Sequence, residues 1–264
     1  MLIKVRAFGV LKDRLGEDAL PVDLPEGATV GDLLAQIENG TESFRGIAVS
    51  VNAEYARGGD VLHDDDEVGL LPPVSGGHGP KEPVSAPTAA EPAGPTAAEL
   101  DEYGAMALLL SGVKGRVPVV SVGLQREQID AETLTRQAKA AEDGAVVVFE
   151  GIVRNNSRGR RTLHLDYEAY EEMALAKLDA LAHEARERFR VRFVGMVHRL
   201  GRLEIGETSV VIVVSSAHRA EAYEASRWLI DTLKTTVPVW KKETFENGTV
   251  WADGEPFPEG VGIA

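Results

Sequence analysis

Residues 78–99 most constrain how this chain can fold, because they hold five prolines among Ala, Gly, Ser, Thr and Glu. Proline lacks a backbone donor, and a stretch with so few large apolar side chains cannot bury a core. Such a composition is typical of a semi-rigid spacer. We therefore predict domains at 1–77 and 117–264, joined by a Pro/Ala-rich linker at 78–116 in which residues 100–110 favour a short helix.

Composition excludes several functional classes. The chain has no cysteine, which excludes disulfides, thiolate metal sites and cysteine nucleophiles. Its net charge of −14 argues against nucleic acid as a partner. No apolar run reaches the roughly 18 residues of a membrane span, and the histidines lack metal-ligand spacing. We expect a soluble, cytoplasmic protein with no membrane partner and no metal site.

The first 77 residues have the pattern of a small mixed sheet crossed by one helix. Thr29 is placed to cap that helix, because apolar residues then recur on one face as far as Ile37. We predict strands at 2–8, 22–24, 47–51, 60–62 and 67–71, with a short helix at 10–16. The order predicts a ubiquitin-like β-grasp domain.

This domain ends in Pro72-Pro73-Val74-Ser75-Gly76-Gly77. The prolines stop the preceding strand, and two glycines can lie in a channel too narrow for side chains. A thin flexible end suits a chain whose terminal carboxylate must enter another active site. Composition alone favours a simpler interpretation, in which the glycines begin the linker.

Residues 117–264 predict an α+β domain with a mainly antiparallel sheet. Glu171 to Phe189 has the composition of a long amphipathic helix. The other predicted helices lie at 129–141 and 217–233, and the strands at 119–122, 144–151, 163–169, 191–200, 208–215, 237–246 and 249–251.

We expect the strand at 144–151 to be buried. An arginine-rich loop follows it. Arg154 lies directly after that strand, where its position would be fixed, so it is the candidate anion-binding residue. For Arg158, Arg160 and Arg161 we favour a solvated surface loop.

A second candidate anion site lies at Ser215-Ser216-Ala217-His218-Arg219, where a buried strand meets a helix. Free backbone N–H groups and the positive end of the helix dipole face outward there. His218 and Arg219 oppose that dipole, which a bound anion such as phosphate would relieve. A surface His-Arg pair tolerated at small cost explains them equally well.

A third stretch contains Lys234 and Lys241 on either side of Pro238. Lys234 ends a helix, where the dipole favours a cation. If the two amines converge where the strand leaves the helix, each lowers the pKa of the other. A lysine of this kind acts as a general acid or base, or as a nucleophile.

These stretches resemble molybdopterin synthase. Residues 1–77 are similar to its small, ubiquitin-like subunit, and residues from about 117 to 252 to its large subunit, so the chain resembles a fusion of the two. The motifs that carry the resemblance are Asp66-Glu67-Val68, Pro72 to Gly77, Asp143 to Val146, Phe149 to Asn155, His198 to Gly201, Ser216 to Arg219, Asp231 to Lys234 and Pro238 to Glu243.

The resemblance implies a sulfur-transfer reaction. In this family the terminal glycine is adenylated by an ATP-dependent enzyme and converted to a thiocarboxylate, which delivers sulfur to cyclic pyranopterin monophosphate (precursor Z). Two transfers form the dithiolene of molybdopterin. Gly77 would carry the sulfur with no bound cofactor, and Lys234 and Lys241 match the catalytic lysines. Arg154, His218 and Arg219 match cations of the substrate pocket.

Family members form a central dimer of large subunits, so we expect a homodimer through the C-terminal domain. Two departures stand out. The chain has no arginine after Arg227, although the family commonly places one in its C-terminal tail. Gly77 is also joined to His78, and we expect cleavage there to free the carboxyl group.

Two alternatives remain open from the sequence. An uncleaved small domain would make the chain a non-catalytic or autoinhibited scaffold. The two-glycine tail alone also fits a sulfur carrier for another pathway, such as thiamine synthesis.

Overall fold

The computed structural model describes residues 1–15, 19–38, 46–74, 119–252 and 254. Gly77, the linker at 78–116 and the helix predicted at 100–110 lie outside the described residues.

The N-terminal part is a β-grasp sheet with strand order β2-β1-β5-β3-β4. Strand β1 pairs in parallel with β5, and the other neighbours are antiparallel. A 3₁₀ turn spans Gly9–Leu11. The elements are β1 (Leu2–Ala7), α1 (Lys12–Leu15), β2 (Leu20–Asp23), α2 (Val30–Ile37), β3 (Ala48–Val51), β4 (Glu54–Ala56) and β5 (Glu67–Leu71).

Helix α2 begins where the sequence predicts. The Thr29 side chain accepts a hydrogen bond from the Asp32 amide, and Asp32 completes a capping box. The strand predicted at 60–62 is wrong: Val61 forms only an isolated bridge to Thr29, and β4 is the strand that joins the sheet edge. Each segment has one acidic residue followed by two apolar or aromatic ones, so the sequence pattern did not distinguish them.

The C-terminal part contains two sheets and three helices among the described residues. Its elements are β6 (Val120–Gln125), α3 (Ala131–Gln137), β7 (Ala145–Ile152), β8 (Asn156–Ser157), β9 (Arg160–Ala169), α4 (Glu171–Phe189), β10 (Phe193–Arg199), β11 (Gly201–Glu204), β12 (Thr208–Ser216), α5 (Arg219–Thr236), β13 (Val239–Phe245) and β14 (Gly248–Trp251).

The first of these sheets has the order β6-β10-β12-β7 and is covered on both faces. Alternate residues of β12 explain why: Ile212 packs in the core under α4 and α5, whereas Val211 and Val213 pack with Leu134 of α3. The sheet is antiparallel except for the β6–β10 pair. The predicted α+β class and the β-grasp domain are both confirmed.

Strand β7 differs from the prediction of a buried strand. It lies at the sheet edge, where Val148 is 41% and Ile152 55% exposed. The strand predicted at 191–200 is confirmed as β10, and Gly201, with a φ of +79°, turns the chain after it into the second sheet.

The second sheet has the order β11-β9-β13-β14 and is antiparallel. Strand β13 follows α5 through Pro238 and pairs along its length with β9. This places the last turn of α5 and the start of β13 side by side, which is where the candidate lysines lie.

Candidate functional site

Lys241 and its neighbour Trp240 lie on opposite faces of β13, as alternation along a strand requires. Trp240 is buried against the β-grasp domain. Lys241 lies on the other face with Glu243, and the Nζ and Oε1 atoms are 3.8 Å apart. The two side chains are only 19% and 11% exposed.

Several charges act on the amine of Lys241. Burial lowers its pKa below the ordinary value, whereas the carboxylate of Glu243 raises it. The positive charges of Lys234, Arg154 and Arg158 lower it further. The structure therefore brings both candidate lysines and Arg154 into one electrostatic cluster, which suits proton exchange and anion binding.

Lys234 lies in the last turn of α5, where the helix dipole favours its charge. Among the described residues it forms no ion pair with a carboxylate. The side chain is partly buried. A cation held without a paired carboxylate retains its attraction for an anionic ligand.

Arg158 is a residue that sequence reasoning missed. It occupies the turn between β8 and β9 with a φ of +50°, followed by Gly159 at +76°, which is the signature of a tight type I′ hairpin. The turn places Arg158 where its positive charge lowers the pKa of Lys241. By contrast, Arg160 stacks on Phe245 at 3.7 Å and Arg161 pairs with Glu246.

His218 and Arg219 do not join this cluster within one chain. They lie exposed at the start of α5, with His218 as an N-cap that makes no side-chain capping bond. Lys234 is fifteen residues further along the helix, so its Cα lies about 22 Å from that of Arg219. The helix length alone therefore separates the two groups.

His198 is buried and has a structural role. His198 Nδ1 lies 2.9 Å from the Arg199 carbonyl, and its ring packs edge-on against Tyr167. Burial lowers the pKa of His198 to about 4, so it is neutral at physiological pH. Within the described ranges no cluster of three metal-ligating side chains occurs, and no helix there is long and apolar enough to cross a membrane.

The end of the β-grasp domain lies directly against β13. The indole Nε1 of Trp240 donates a 2.9 Å hydrogen bond to the Pro72 carbonyl, and Val74 is 1% exposed. Gly77, predicted to be catalytic, lies three residues after Val74 and outside the described residues.

Aromatic and polar contacts hold the two domains together. Phe8 stacks between Tyr170 and Trp240, with centroid distances of 4.6 and 5.4 Å. The Tyr55 hydroxyl donates to the Thr236 carbonyl at the end of α5, two residues from Lys234. The β-grasp domain therefore packs on the end of α5 and on the Trp240 face of β13, the strand whose opposite face carries Lys241.

The C-terminal part is similar in sequence to known enzymes. It is 47% identical over 122 residues to the molybdopterin synthase catalytic subunit of Halalkalibacterium halodurans, covering 45% of this chain and 78% of that protein. It is 38% identical over 136 residues to the catalytic subunit of Pyrococcus abyssi, covering 52% of this chain and 92% of that protein. The chain belongs to the molybdopterin synthase family.

Both halves of the fusion are recognised by family models. The model described as MoaE protein matches residues 124–236, and the ThiS family model matches residues 5–77. The crystal structure of molybdopterin synthase from Staphylococcus aureus is 37% identical, covers 52% of this chain and 98% of that chain, and has a TM-score of 0.47. The predicted resemblance is confirmed: the chain is an enzyme of the molybdopterin synthase family, which acts in molybdenum cofactor biosynthesis, and it carries a ThiS-like domain in the same chain.

Proposed function

We propose that Gly77, as a terminal thiocarboxylate, delivers sulfur to cyclic pyranopterin monophosphate in the lysine cluster of the C-terminal domain. One observation carries the proposal: the hydrogen bond from Trp240 to Pro72 holds the carrier tail against the strand that contains Lys241. Gly77 is the third residue after Val74, and three residues extend at most about 11 Å. The tail is therefore held close to β13 before its last residues begin.

A thiocarboxylate requires a free carboxyl group, whereas Gly77 is followed by His78. We therefore expect cleavage between these residues, followed by adenylation and sulfuration of Gly77 by a separate ATP-dependent enzyme. Residues 1–77 and 78–264 would then remain associated through the contacts of Phe8 and Trp240.

Each transfer exchanges one oxygen of the substrate for one sulfur. The thiocarboxylate sulfur forms a bond to a substrate carbon, the substrate oxygen leaves as water, and a second water cleaves the acyl–sulfur bond. Gly77 then leaves as an ordinary carboxylate, and no net oxidation or reduction occurs. Two such exchanges supply the two sulfurs of the dithiolene.

The lysine cluster offers groups suited to these steps. Lys241, whose pKa is lowered, exchanges a proton with the departing oxygen. Lys234, a cation without a paired carboxylate among the described residues, stabilises the anionic thiocarboxylate. Arg154 binds the phosphate of the substrate.

His218 and Arg219 fit the same pocket only if a second chain supplies them, because α5 separates them from Lys234 by about 22 Å. We propose a homodimer in which the start of α5 from one chain faces the lysine cluster of the other. The substrate phosphate would then bind at a helix N-terminus, where backbone N–H groups favour anions.

The test uses chain cut after Gly77, loaded with sulfur and supplied with precursor Z. We expect molybdopterin from this preparation, and at least 100-fold less from Lys234→Ala or Lys241→Ala. Lys139→Ala, on an exposed surface, is the matched control and should retain full activity. Intact mass analysis identifies the active species. Molybdopterin formation by a preparation that contains only full-length chain would contradict the proposed cleavage.

The docked tail also supports a second candidate, an autoinhibited scaffold. If Gly77 stays joined to His78, the tail occupies the approach to β13 and excludes the substrate. Precursor Z should then bind the cut protein but not the uncut one. Equal binding to both forms would argue against the scaffold.

A further inference from the structure

The segment that follows β14 runs beside the carrier tail. The Ala252 amide donates a 2.9 Å hydrogen bond to the Lys241 carbonyl, so this segment continues along the edge of β13. Two residues later, Gly254 lies against Pro73. The described residues of this segment therefore contact β13 at Ala252 and the carrier tail at Gly254.

Gly254 leaves no space for a side chain. A Cβ atom at this position would overlap the carbonyl carbon and oxygen of Pro73 and lie 2.7 Å from the Pro73 Cβ. These are atoms of the backbone and of a rigid ring, so they cannot rotate away. Gly254 does not have a left-handed φ. Glycine is therefore required by the close approach of the tail and not by local backbone conformation.

Two other residues complete a slot around the tail, which we define as Gly9, Trp240 and Gly254. A Cβ at Gly9 would lie 3.0 Å from Pro72 Cγ and 3.1 Å from Trp240 Cγ. Trp240 fixes the Pro72 carbonyl by its indole hydrogen bond. Gly9 and Gly254 thus each bring backbone without a side chain against the tail, at Pro72 and at Pro73 respectively.

We propose that Gly254 is a positioning residue for the carrier tail. Gly254 borders the slot at Pro73. It thereby sets the direction in which the tail continues from Pro73 toward Gly77 and the lysine cluster. This inference rests on the proposed function, in which that tail delivers sulfur. Misplacement of a reacting group by about 1 Å costs on the order of 100-fold in rate, so a wall that fixes the tail path affects transfer directly.

The test uses the full chain with Gly254→Ala and Gly254→Val, and Gly123→Ala as the matched control. A Cβ at Gly123 meets no atom within 4 Å, and its φ is not left-handed. The readout is the indole ¹H–¹⁵N signal of each of the three tryptophans. Trp240 donates to Pro72 and Trp251 to Asp13 across the domain interface, whereas Trp228 packs on Phe189 within the catalytic domain.

We expect hydrogen exchange of the Trp240 indole to accelerate at least tenfold in Gly254→Val and by a smaller factor in Gly254→Ala. Trp228 should exchange as in the parent chain, and Gly123→Ala should leave all three signals unchanged. Unchanged Trp240 exchange in both variants would overturn the proposal. So would an equal acceleration at Trp228, because the effect would then reflect the catalytic domain as a whole.

The exchange measurement needs neither sulfur nor precursor Z, so it is independent of the proposed reaction. In sulfur-loaded cut protein, Gly254→Val should lower molybdopterin formation at least tenfold. If Trp240 exchange accelerates and molybdopterin formation does not fall, the tail route of the proposed function is wrong although Gly254 still positions the tail.

Discussion

Glu243 lies on the same face of β13 as Lys241, with the carboxylate oxygen 3.8 Å from the amine nitrogen. The two residues are two apart in one strand, which is the spacing that places side chains together on a sheet face. The carboxylate opposes the burial and the neighbouring cations that lower the pKa of Lys241. Strand geometry thus sets the protonation of the candidate catalytic amine.

Glu243→Gln should move the ionisation of Lys241 to lower pH. The substitution removes the charge that raises the pKa of Lys241 and leaves burial, Lys234 and Arg154 in place. The limb of the pH–rate profile that reports Lys241 should shift toward acid. Glu246→Gln is the control, because Glu246 is exposed and pairs with Arg161. A limb that stays in place would mean that Glu243 does not set this pKa.

Arg158→Ala should have the opposite effect on the same limb. Removing a positive charge that lowers the pKa of Lys241 should shift the limb toward alkaline pH. Arg158 lies in the hairpin turn, and the sequence assigned it to the solvent together with Arg160 and Arg161. Arg161→Ala should leave the profile unchanged. A shift of equal size in both variants would indicate a general charge effect and not a local one.

Phe8→Ala should weaken docking of the two domains. Phe8 is 4% exposed and stacks on Tyr170 and Trp240, so its truncation leaves a cavity in the interface. A loss of about 3 kcal/mol corresponds to a Kd raised on the order of 100-fold. Calorimetry on the two fragments, cut in the linker, measures this change. Val10→Ala removes a more exposed side chain nearby and should alter the Kd by less than about threefold.

Asp143→Asn should destabilise the catalytic domain at neutral pH. Burial opposes ionisation of Asp143, but hydrogen bonds from Arg192 at 2.6 to 2.9 Å outweigh it and hold the pKa below its ordinary value. Losing this ion pair should lower the free energy of unfolding by about 2–3 kcal/mol.

The pH dependence of that loss follows from the direction of the shift. A lowered pKa stabilises the fold above the unfolded-state value of about 4, and the stabilisation is lost as pH falls through the lower folded-state value. The free energies of unfolding of the parent and of Asp143→Asn, measured with urea, should therefore differ at pH about 7 and become similar at pH about 2. Glu142→Gln, an exposed neighbour 3.9 Å from Arg192, should have little effect at either pH.

Local patterns predicted much of the secondary structure. Thr29 caps α2 as predicted, since its side-chain oxygen accepts a hydrogen bond from an amide three residues later. The long helix at 171–189 was predicted with its observed ends, because its apolar stripe is continuous. Strands β4, β8 and β11 were missed. Each has four residues or fewer, which is too short to show the alternation of apolar and polar residues that identifies a strand.

The site was predicted only in part. The influence of Lys234 on the pKa of Lys241 could be predicted because Pro238 leads the chain from α5 directly into β13. Arg158 was assigned to solvent because no pattern in the sequence reveals which way a hairpin turn faces. His218 and Arg219 were grouped with the lysines by resemblance, and the length of α5 separates them within one chain.

The sequence by itself determined the family, because the motifs that identify it depend on residue types and their order, and it predicted the domain boundaries and the glycine-ended tail on the same basis. Only the tertiary structure decided that Trp240 holds Pro72, that Phe8 fits between two aromatic rings, and that Gly254 faces the tail. The residues in these contacts are separated by well over a hundred positions. Their meeting depends on packing between two sheets, which no local spacing encodes.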